Sequence, residues 1–315
     1  MMTEAFRPQK KRRVRIGSLE MRPNRVVFII ATLSLPLISW AVFWLYVNLD
    51  GILLSFKNPR TMEWTMDNFK QVYELISAPG GELAIGFRNT ALYFVEGMVL
   101  LVLNLVVAFF LYKKVMGYKA FRIIFYLPAI ISGVALTTVF QEFIKPQGPL
   151  GTIMKMLGHP LDEVGLLGSA KTATGTIMAY CFWTGFSGQV LMFTASFSRI
   201  PIDVLEAAHI DGCKPFRELV SLVLPLIMPM FSTLLLLAFT GMFGSSGPIL
   251  LFTQGNFETT TVAYWLFTQV YGSGGYGGTG SYGLVSALGL CLTVVAVPLT
   301  IIVHKLVDLI PAVEY

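Results

Sequence analysis

The chain has 315 residues, of which 55% are hydrophobic and only 13% are charged, and its formal net charge is +5. Soluble globular proteins carry roughly 25% charged residues, so this sequence lacks the polar side chains needed to cover a water-facing surface. The mean hydropathy of +0.68 agrees. The composition argues against a soluble enzyme, a disordered tail and a secreted disulfide scaffold.

Long stretches without charged residues predict membrane-spanning helices. A helix needs roughly 20 apolar residues to cross the hydrocarbon core of a bilayer, and such stretches recur along the whole chain. We therefore predict an all-α membrane protein with a basic segment at 1–25 and one transmembrane domain at 26–315. The six predicted spans are 26–47, 89–112, 122–142, 174–197, 221–243 and 281–303.

The distribution of basic residues predicts the orientation in the membrane. Most of the 23 lysines and arginines precede the first span, follow the last, or lie in loops on that same side. An excess of Lys and Arg marks the cytoplasmic side of a membrane protein. Both termini are therefore predicted to be cytoplasmic. The basic run at 10–15 is interpreted as an anchor on anionic lipid rather than a nucleic-acid site.

Three polar loops lie on the opposite side. Residues 48–88 are predicted to contain a short amphipathic helix around 66–76, and a second loop covers 144–171. The third loop, 244–280, is rich in Gly, Ser and Thr and carries a single charge, Glu258. Such a loop can enter the membrane only where protein or a water-filled cavity surrounds its backbone.

A short cytoplasmic helix is predicted between the fourth and fifth spans. Pro201 suits a first helical turn, where its missing N–H is not needed. Asp203 and Glu206 follow near the positive end of this helix, where acidic side chains are favoured. Ala207 and Ala208 are small and strong helix formers, so another surface could approach closely there.

The same loop carries a helix stop followed by a restart. Asp211 precedes Gly212, and glycine adopts the left-handed conformation that ends helices at little cost. Lys214 and Pro215 then begin a second helix that runs into the fifth span. The expected structure is a helix, a sharp turn and a second helix. It is exposed to the cytosol, in a chain that has little other cytoplasmic mass.

This loop resembles the cytoplasmic signature of permease subunits of bacterial ABC importers, EAA-x3-G-x9-I-x-L-P. The spacing matches throughout, with Leu in place of the usual Ile, and FRIIFYLP at 121–128 also resembles the family. The six-span length is similar to that of the carbohydrate-uptake, maltose-type branch. One segment departs from many sugar permeases, FTQGNFETTT at 252–261. The matching positions are Glu206, Ala207, Ala208, Gly212, Leu222, Leu224 and Pro225.

The resemblance implies a type I ABC importer permease fold and a mechanism. The loop 199–218 would dock on a separate ATP-binding subunit and couple its closure to movement of the permease. The implied partners are a second homologous permease, two ATP-binding subunits, an extracellular solute-binding protein and the lipid bilayer, with no nucleic acid. The coupling residues would be Glu206, Ala207, Ala208, Asp211 and Gly212.

The chain itself is expected to bind no cofactor and to catalyse no reaction. It contains no GxxxxGK[ST] phosphate-binding motif, so ATP and magnesium are expected on the partner ATPase subunits. Three histidines and three cysteines are scattered without the spacing of a metal site. No recognisable set of catalytic residues is present, which argues against a membrane-embedded enzyme.

The candidate substrate pathway rests on polar residues inside the spans. Glu96 is an ionisable side chain within the second span, and such groups are costly unless they face a cavity or a partner. In maltose-type relatives, the segment that resembles 183–186 lines the sugar site. Helix packing is the alternative explanation for these residues. The candidates are Trp183, Thr184, Gly188, Gln189 and Glu96, with Ser132 and Ser245 as additions.

The sequence therefore predicts an importer permease for a sugar, namely an oligosaccharide or polysaccharide fragment. One alternative is an ABC importer permease for a non-sugar solute. Another is an ion-coupled secondary transporter, which typically has several intramembrane acids or interrupted helices at repeat-related positions. Glu96 alone is thin support for that class.

Overall fold

The computed structural model describes residues 14–16, 19–21, 23–58, 61–272 and 281–309, and for 14–24 and Ser281 it describes the backbone only. The basic segment predicted at 1–25 lies largely outside the described residues. The described chain is almost entirely helical, as predicted. A short antiparallel hairpin, β1 (Val14–Ile16) with β2 (Leu19–Met21), precedes the helices and was not predicted.

The helices of the first half follow one another with short connections. They are α1 (Pro23–Trp40), a π-helical segment (Ala41–Tyr46), α2 (Val47–Ser55), α3 (Asp67–Ser77), α4 (Glu82–Tyr112), α5 (Tyr118–Ile130), α6 (Gly133–Ile144) and α7 (Pro149–Met156).

The second half contains the loop of interest and the last span. Its helices are α8 (Ala173–Thr184), α9 (Phe186–Phe197), α10 (Ile202–Ile210), α11 (Pro215–Glu218), a π-helical segment (Leu219–Val223), α12 (Leu224–Leu226), α13 (Met228–Thr240), α14 (Ile249–Phe252), α15 (Val262–Tyr271) and α16 (Ser281–Asp308).

Within the described residues, three helices are individually long and apolar enough to cross a membrane. They are Arg25–Ser55, Glu82–Tyr112 and Tyr282–Asp308, and they correspond to the predicted first, second and sixth spans. The first continues to Ser55 through the π-helical segment, beyond its predicted end at 47. By the same criteria, two bent helix pairs raise the number of spans to at most five in the described residues, so six spans stays a prediction.

The predicted third and fifth spans are broken rather than straight. The helix pair at the third span bends by 115° after Ile130, and the pair at the fifth bends by 81° at Ile227. Pro128 lies just before the first break, and Pro225 and Pro229 flank the second. Because proline lacks the N–H and its ring crowds the preceding turn, these positions weaken the helical hydrogen-bond ladder.

The predicted fourth span consists of two consecutive helices, α8 and α9, which meet at Gly185. A Cβ at Gly185 would lie 2.7 Å from Leu100 Cδ1 of α4, so the glycine permits α4 to pack closely against the junction of α8 and α9. The same aromatic-rich interface forms the largest core cluster, with Phe109 of α4 and Phe193 and Phe197 of α9 fully buried.

The polar loops are structured where the sequence suggested. The amphipathic helix expected around 66–76 is α3, and it buries Val72. The described part of the third loop, 244–272, packs against α4: the amide of Asn89 donates to the carbonyl oxygens of Glu258 (2.7 Å) and Thr260 (2.8 Å). Thr259 and Thr261 are buried beside them, so protein surrounds these uncharged residues, whereas Glu258 is exposed.

Candidate functional site

The predicted short helix in the loop 199–218 is α10. Pro201 is the N-cap residue immediately before it rather than a member of its first turn. Leu205 points inward and is only 8% exposed, in the same core cluster as Phe109 and Leu219. This single buried leucine anchors α10 on the transmembrane helices.

The outer face of α10 has no cover within the described residues. Glu206 and Ala207 are exposed, and Ala208 is half-buried. Ile202 and Ile210 are 65% and 84% exposed, which is unusual for isoleucine on a surface that meets water. This face combines an acidic side chain, exposed apolar side chains and small alanines, and such a surface is suited to close contact with another protein.

The end of α10 is fixed by backbone hydrogen bonds. The N–H of Gly212 donates to the carbonyl of His209, and the N–H of Cys213 donates to that of Ala208, each at 3.0 Å. Gly212 has φ +69°, and together these features form a Schellman motif. A Cβ on Gly212 would meet no atom within 4 Å, so its backbone conformation, not crowding, requires glycine. Asp211 precedes it and is exposed.

The restart after this turn brings in a residue that no sequence motif singled out. Pro215 is the first residue of α11, as predicted, and Glu218 ends that helix in a buried position. Its carboxylate lies 2.6 Å from Nζ of Lys113, at the end of α4. The two residues are 105 positions apart, so no local pattern signals the pair.

Glu96 carries a buried carboxylate on α4. Neither of its side-chain oxygens has a hydrogen-bond partner in the described residues, and the same holds for the hydroxyl oxygen of Tyr93. Tyr93 of α4 and Cys181 of α8 belong to the same apolar cluster, which places α4 and α8 together here. Buried polar atoms in native proteins are almost always partnered, so this group of atoms calls for a water, an ion or a ligand.

Trp183 faces an apolar cavity of about 370 Å³ that is lined by Leu136, Val139, Phe140 and Phe143. The hydroxyl of Thr184 donates to the carbonyl of Tyr180 (3.0 Å), so it is used within its own helix.

The remaining predicted pathway residues lie in different surroundings. The Oε1 atom of Gln189 accepts a hydrogen bond from the amide of Asn104 (2.7 Å), between α9 and α4. Gly188 is exposed, and a Cβ added there would have no neighbour within 4 Å. Ser132 is exposed at the break of the third span, and Ser245 is half-buried. Their role in a substrate pathway stays a prediction.

Within residues 23–58, 61–272 and 282–309, no group of three or more His, Cys, Asp and Glu side chains could hold a metal ion.

Curated relatives cover most of the chain at low identity. MsmF, the multiple sugar-binding transport system permease protein of Streptococcus mutans, is 27% identical over 259 residues, which is 80% of this chain and 88% of that protein. AraP of Bacillus subtilis, the arabinooligosaccharides transport system permease protein, is 25% identical over 281 residues, or 85% of each chain. The chain is a homologue of ABC transporter permeases. No family model matches it.

Solved structures agree on the fold of this permease. It superposes with a TM-score of 0.73 on a chain of a bacterial ABC transporter involved in the import of the acidic polysaccharide alginate, at 19% identity and with 91% and 97% of the two chains covered. A second structure, of the alginate transporter with an alginate pentasaccharide-bound periplasmic protein, gives 0.72 at 20% identity and covers 89% and 94%. The predicted fold class is confirmed, and the permease is a multi-pass membrane protein.

Proposed function

We propose that this permease moves a saccharide, an oligosaccharide or polysaccharide fragment, into the cell with energy from ATP hydrolysed by separate subunits. The observation that carries the proposal is the uncovered face of α10, where Glu206 and Ala207 lie between the exposed isoleucines Ile202 and Ile210. Leu205 and the Schellman turn at Gly212 hold that face in place, so it is ready to dock without further folding.

The proposed assembly has two permeases, two ATP-binding subunits and an extracellular solute-binding protein. In this arrangement α10 faces the cytoplasm and the loop 244–272 faces outward, with both termini inside. ATP and magnesium would bind the ATPase subunits. Support for the cargo comes from relatives named for sugar systems, including the diacetylchitobiose uptake permease NgcF of Streptomyces coelicolor, 26% identical over 221 residues. Support for the binding protein comes from the alginate transporter complex.

Purification from the native membrane in mild detergent tests this function. We expect the permease to bring down a second permease and ATP-binding subunits, and the complex in liposomes to import oligosaccharides only with ATP inside and the solute-binding protein outside. Uptake that needs no ATP and follows an ion gradient would instead support the secondary transporter, for which the unpartnered carboxylate of Glu96 is the one favouring observation. ATP-driven import of amino acids or peptides but of no saccharide would support the non-sugar alternative.

Within this function, Glu96 is proposed to donate or accept hydrogen bonds to cargo hydroxyl groups. Glu96→Leu removes this capacity and should raise the KM for saccharide uptake about tenfold, equivalent to about 1.4 kcal/mol, which is close to the worth of one hydrogen bond, about 1 kcal/mol. Glu96→Gln, of similar shape and still polar, keeps the hydrogen bonding and should change the KM by less than about threefold. Glu142→Gln, at an exposed pair with Lys145, is the control and should leave uptake unchanged. A KM that is unchanged in Glu96→Leu, with a lower yield of complex, would assign Glu96 to helix packing.

A further inference from the structure

An ion pair with one buried partner, Glu218, joins the loop that contains α10 to the end of the second predicted span. Nζ of Lys113 and Oε1 of Glu218 are 2.6 Å apart, with the side chains 30% and 4% exposed. Lys113 also lies over the ring of Phe109, with Nζ 5.8 Å from the ring centroid. Phe109 is fully buried, so the pair sits at the edge of the main core cluster.

This pair differs in kind from the other ion pairs of the described residues. Arg88 and Glu258, for example, are 3.3 Å apart and about half exposed, and exposed pairs of this type contribute little because water screens them. Burying the Glu218 carboxylate is costly even when it is paired, and removing Lys113 would leave that buried charge uncompensated. The pair therefore fixes the position of α11 relative to the end of α4, while it adds little to the free energy of unfolding.

The positions of the two residues connect the loop that contains α10 to the end of α4. Glu218 is the last residue of α11, directly after the turn at Gly212 that ends α10. Lys113 is the C-cap residue of α4, a 31-residue helix that also carries Glu96 and Asn89. A movement of α10 is therefore passed to α11 and, across the pair, to the end of α4.

We propose that the Lys113–Glu218 ion pair transmits the movement of α10 to α4 and thereby couples ATP hydrolysis to cargo movement. This inference rests on the proposed function. The two residues act as positioning residues, since they would touch neither ATP nor the cargo. The apolar contact of Leu205 with the core supports the same connection on the other side of the turn.

The ratio of saccharide imported to ATP hydrolysed by the purified complex in liposomes tests the proposal. In Glu218→Gln and in Lys113→Met, we expect ATP hydrolysis within about twofold of the unaltered complex and a ratio at least fivefold lower. The exchanged pair, Lys113→Glu with Glu218→Lys, should recover at least half of the ratio. Arg88→Gln, which removes an exposed ion pair, is the matched control and should leave the ratio unchanged.

Two results would overturn the proposal. One is an unchanged ratio in both single variants. The other is a parallel loss of complex yield, ATP hydrolysis and uptake that the exchanged pair does not recover, because that pattern belongs to a structural contact. Both results presuppose that the unaltered complex takes up saccharide with ATP. If the unaltered complex shows no such uptake, the proposed function itself is contradicted, and this outcome is distinguishable from either result.

Discussion

Glu206→Lys should reduce ATP-driven saccharide uptake by a factor on the order of 100, because juxtaposing like charges at a protein interface costs several kcal/mol. Glu206 is exposed on α10 and makes no hydrogen bond or ion pair within the described part of the chain. The fold of the permease itself should therefore tolerate the change. The expected loss arises at the contact with the ATP-binding subunit, which accepts an acidic side chain in the proposed assembly.

Uptake and co-purification distinguish this outcome from misfolding. The Glu206→Lys permease should reach the membrane in normal amount and pair with the second permease, but retain little or no ATP-binding subunit. Glu163→Lys, another exposed acid reversed in the loop 144–171, is the matched control and should behave like the unaltered protein. If the Glu206→Lys complex keeps its ATP-binding subunits and its uptake rate, α10 is not the docking element.

The parts of the molecule that the sequence predicts well are those determined locally. The Schellman turn at Gly212 needs only residues within one helical turn, and α3 needs only its own apolar periodicity. The first, second and sixth spans follow from long uncharged runs. Such features are readable because their causes lie within ten to thirty consecutive residues.

The breaks in the third and fifth spans were not predicted, although their prolines are visible in the sequence. Pro128 and Pro225 lie in apolar runs, and membrane helices tolerate proline because neighbouring groups satisfy the freed backbone carbonyls. Pro298 inside the intact α16 illustrates this tolerance. Whether a proline bends a span by 81° or leaves it intact thus depends on packing that a single sequence does not display.

The candidate pathway was harder to predict because the surroundings of its residues are formed by helices far away along the chain. Trp183 and Gln189 lie six residues apart, yet one faces an apolar cavity beside α6 and the other contacts Asn104 of α4. The pairing of Lys113 with Glu218 was missed for the same reason. Helix periodicity indicates which side chains share a face, but not which helix that face meets.

Gly185 and Gly188 offer a direct test of that distinction between local and long-range causes. In the sequence, both are small residues of the kind that favours close helix contact. The structure separates them: a Cβ on Gly185 would lie 2.7 Å from Leu100 Cδ1 and 2.9 Å from the carbonyl oxygen of Cys181, whereas a Cβ on Gly188 would have no neighbour within 4 Å. The carbonyl of Gly185 also accepts a hydrogen bond from the amide of Asn104 (3.2 Å).

Gly185→Val should therefore destabilise the permease by about 1–3 kcal/mol, the usual cost of overpacking a core. Leu100 is buried, so the added side chain would force Leu100 or α4 to shift. Gly188→Val brings the same β-branched side chain to an exposed position three residues away, inside α9. The difference in apparent Tm between the two variants in detergent isolates the contact between α4 and the α8–α9 junction. We expect Gly185→Val to unfold several degrees lower, and equal Tm values would mean that α4 and α9 are not packed as closely as the structure places them.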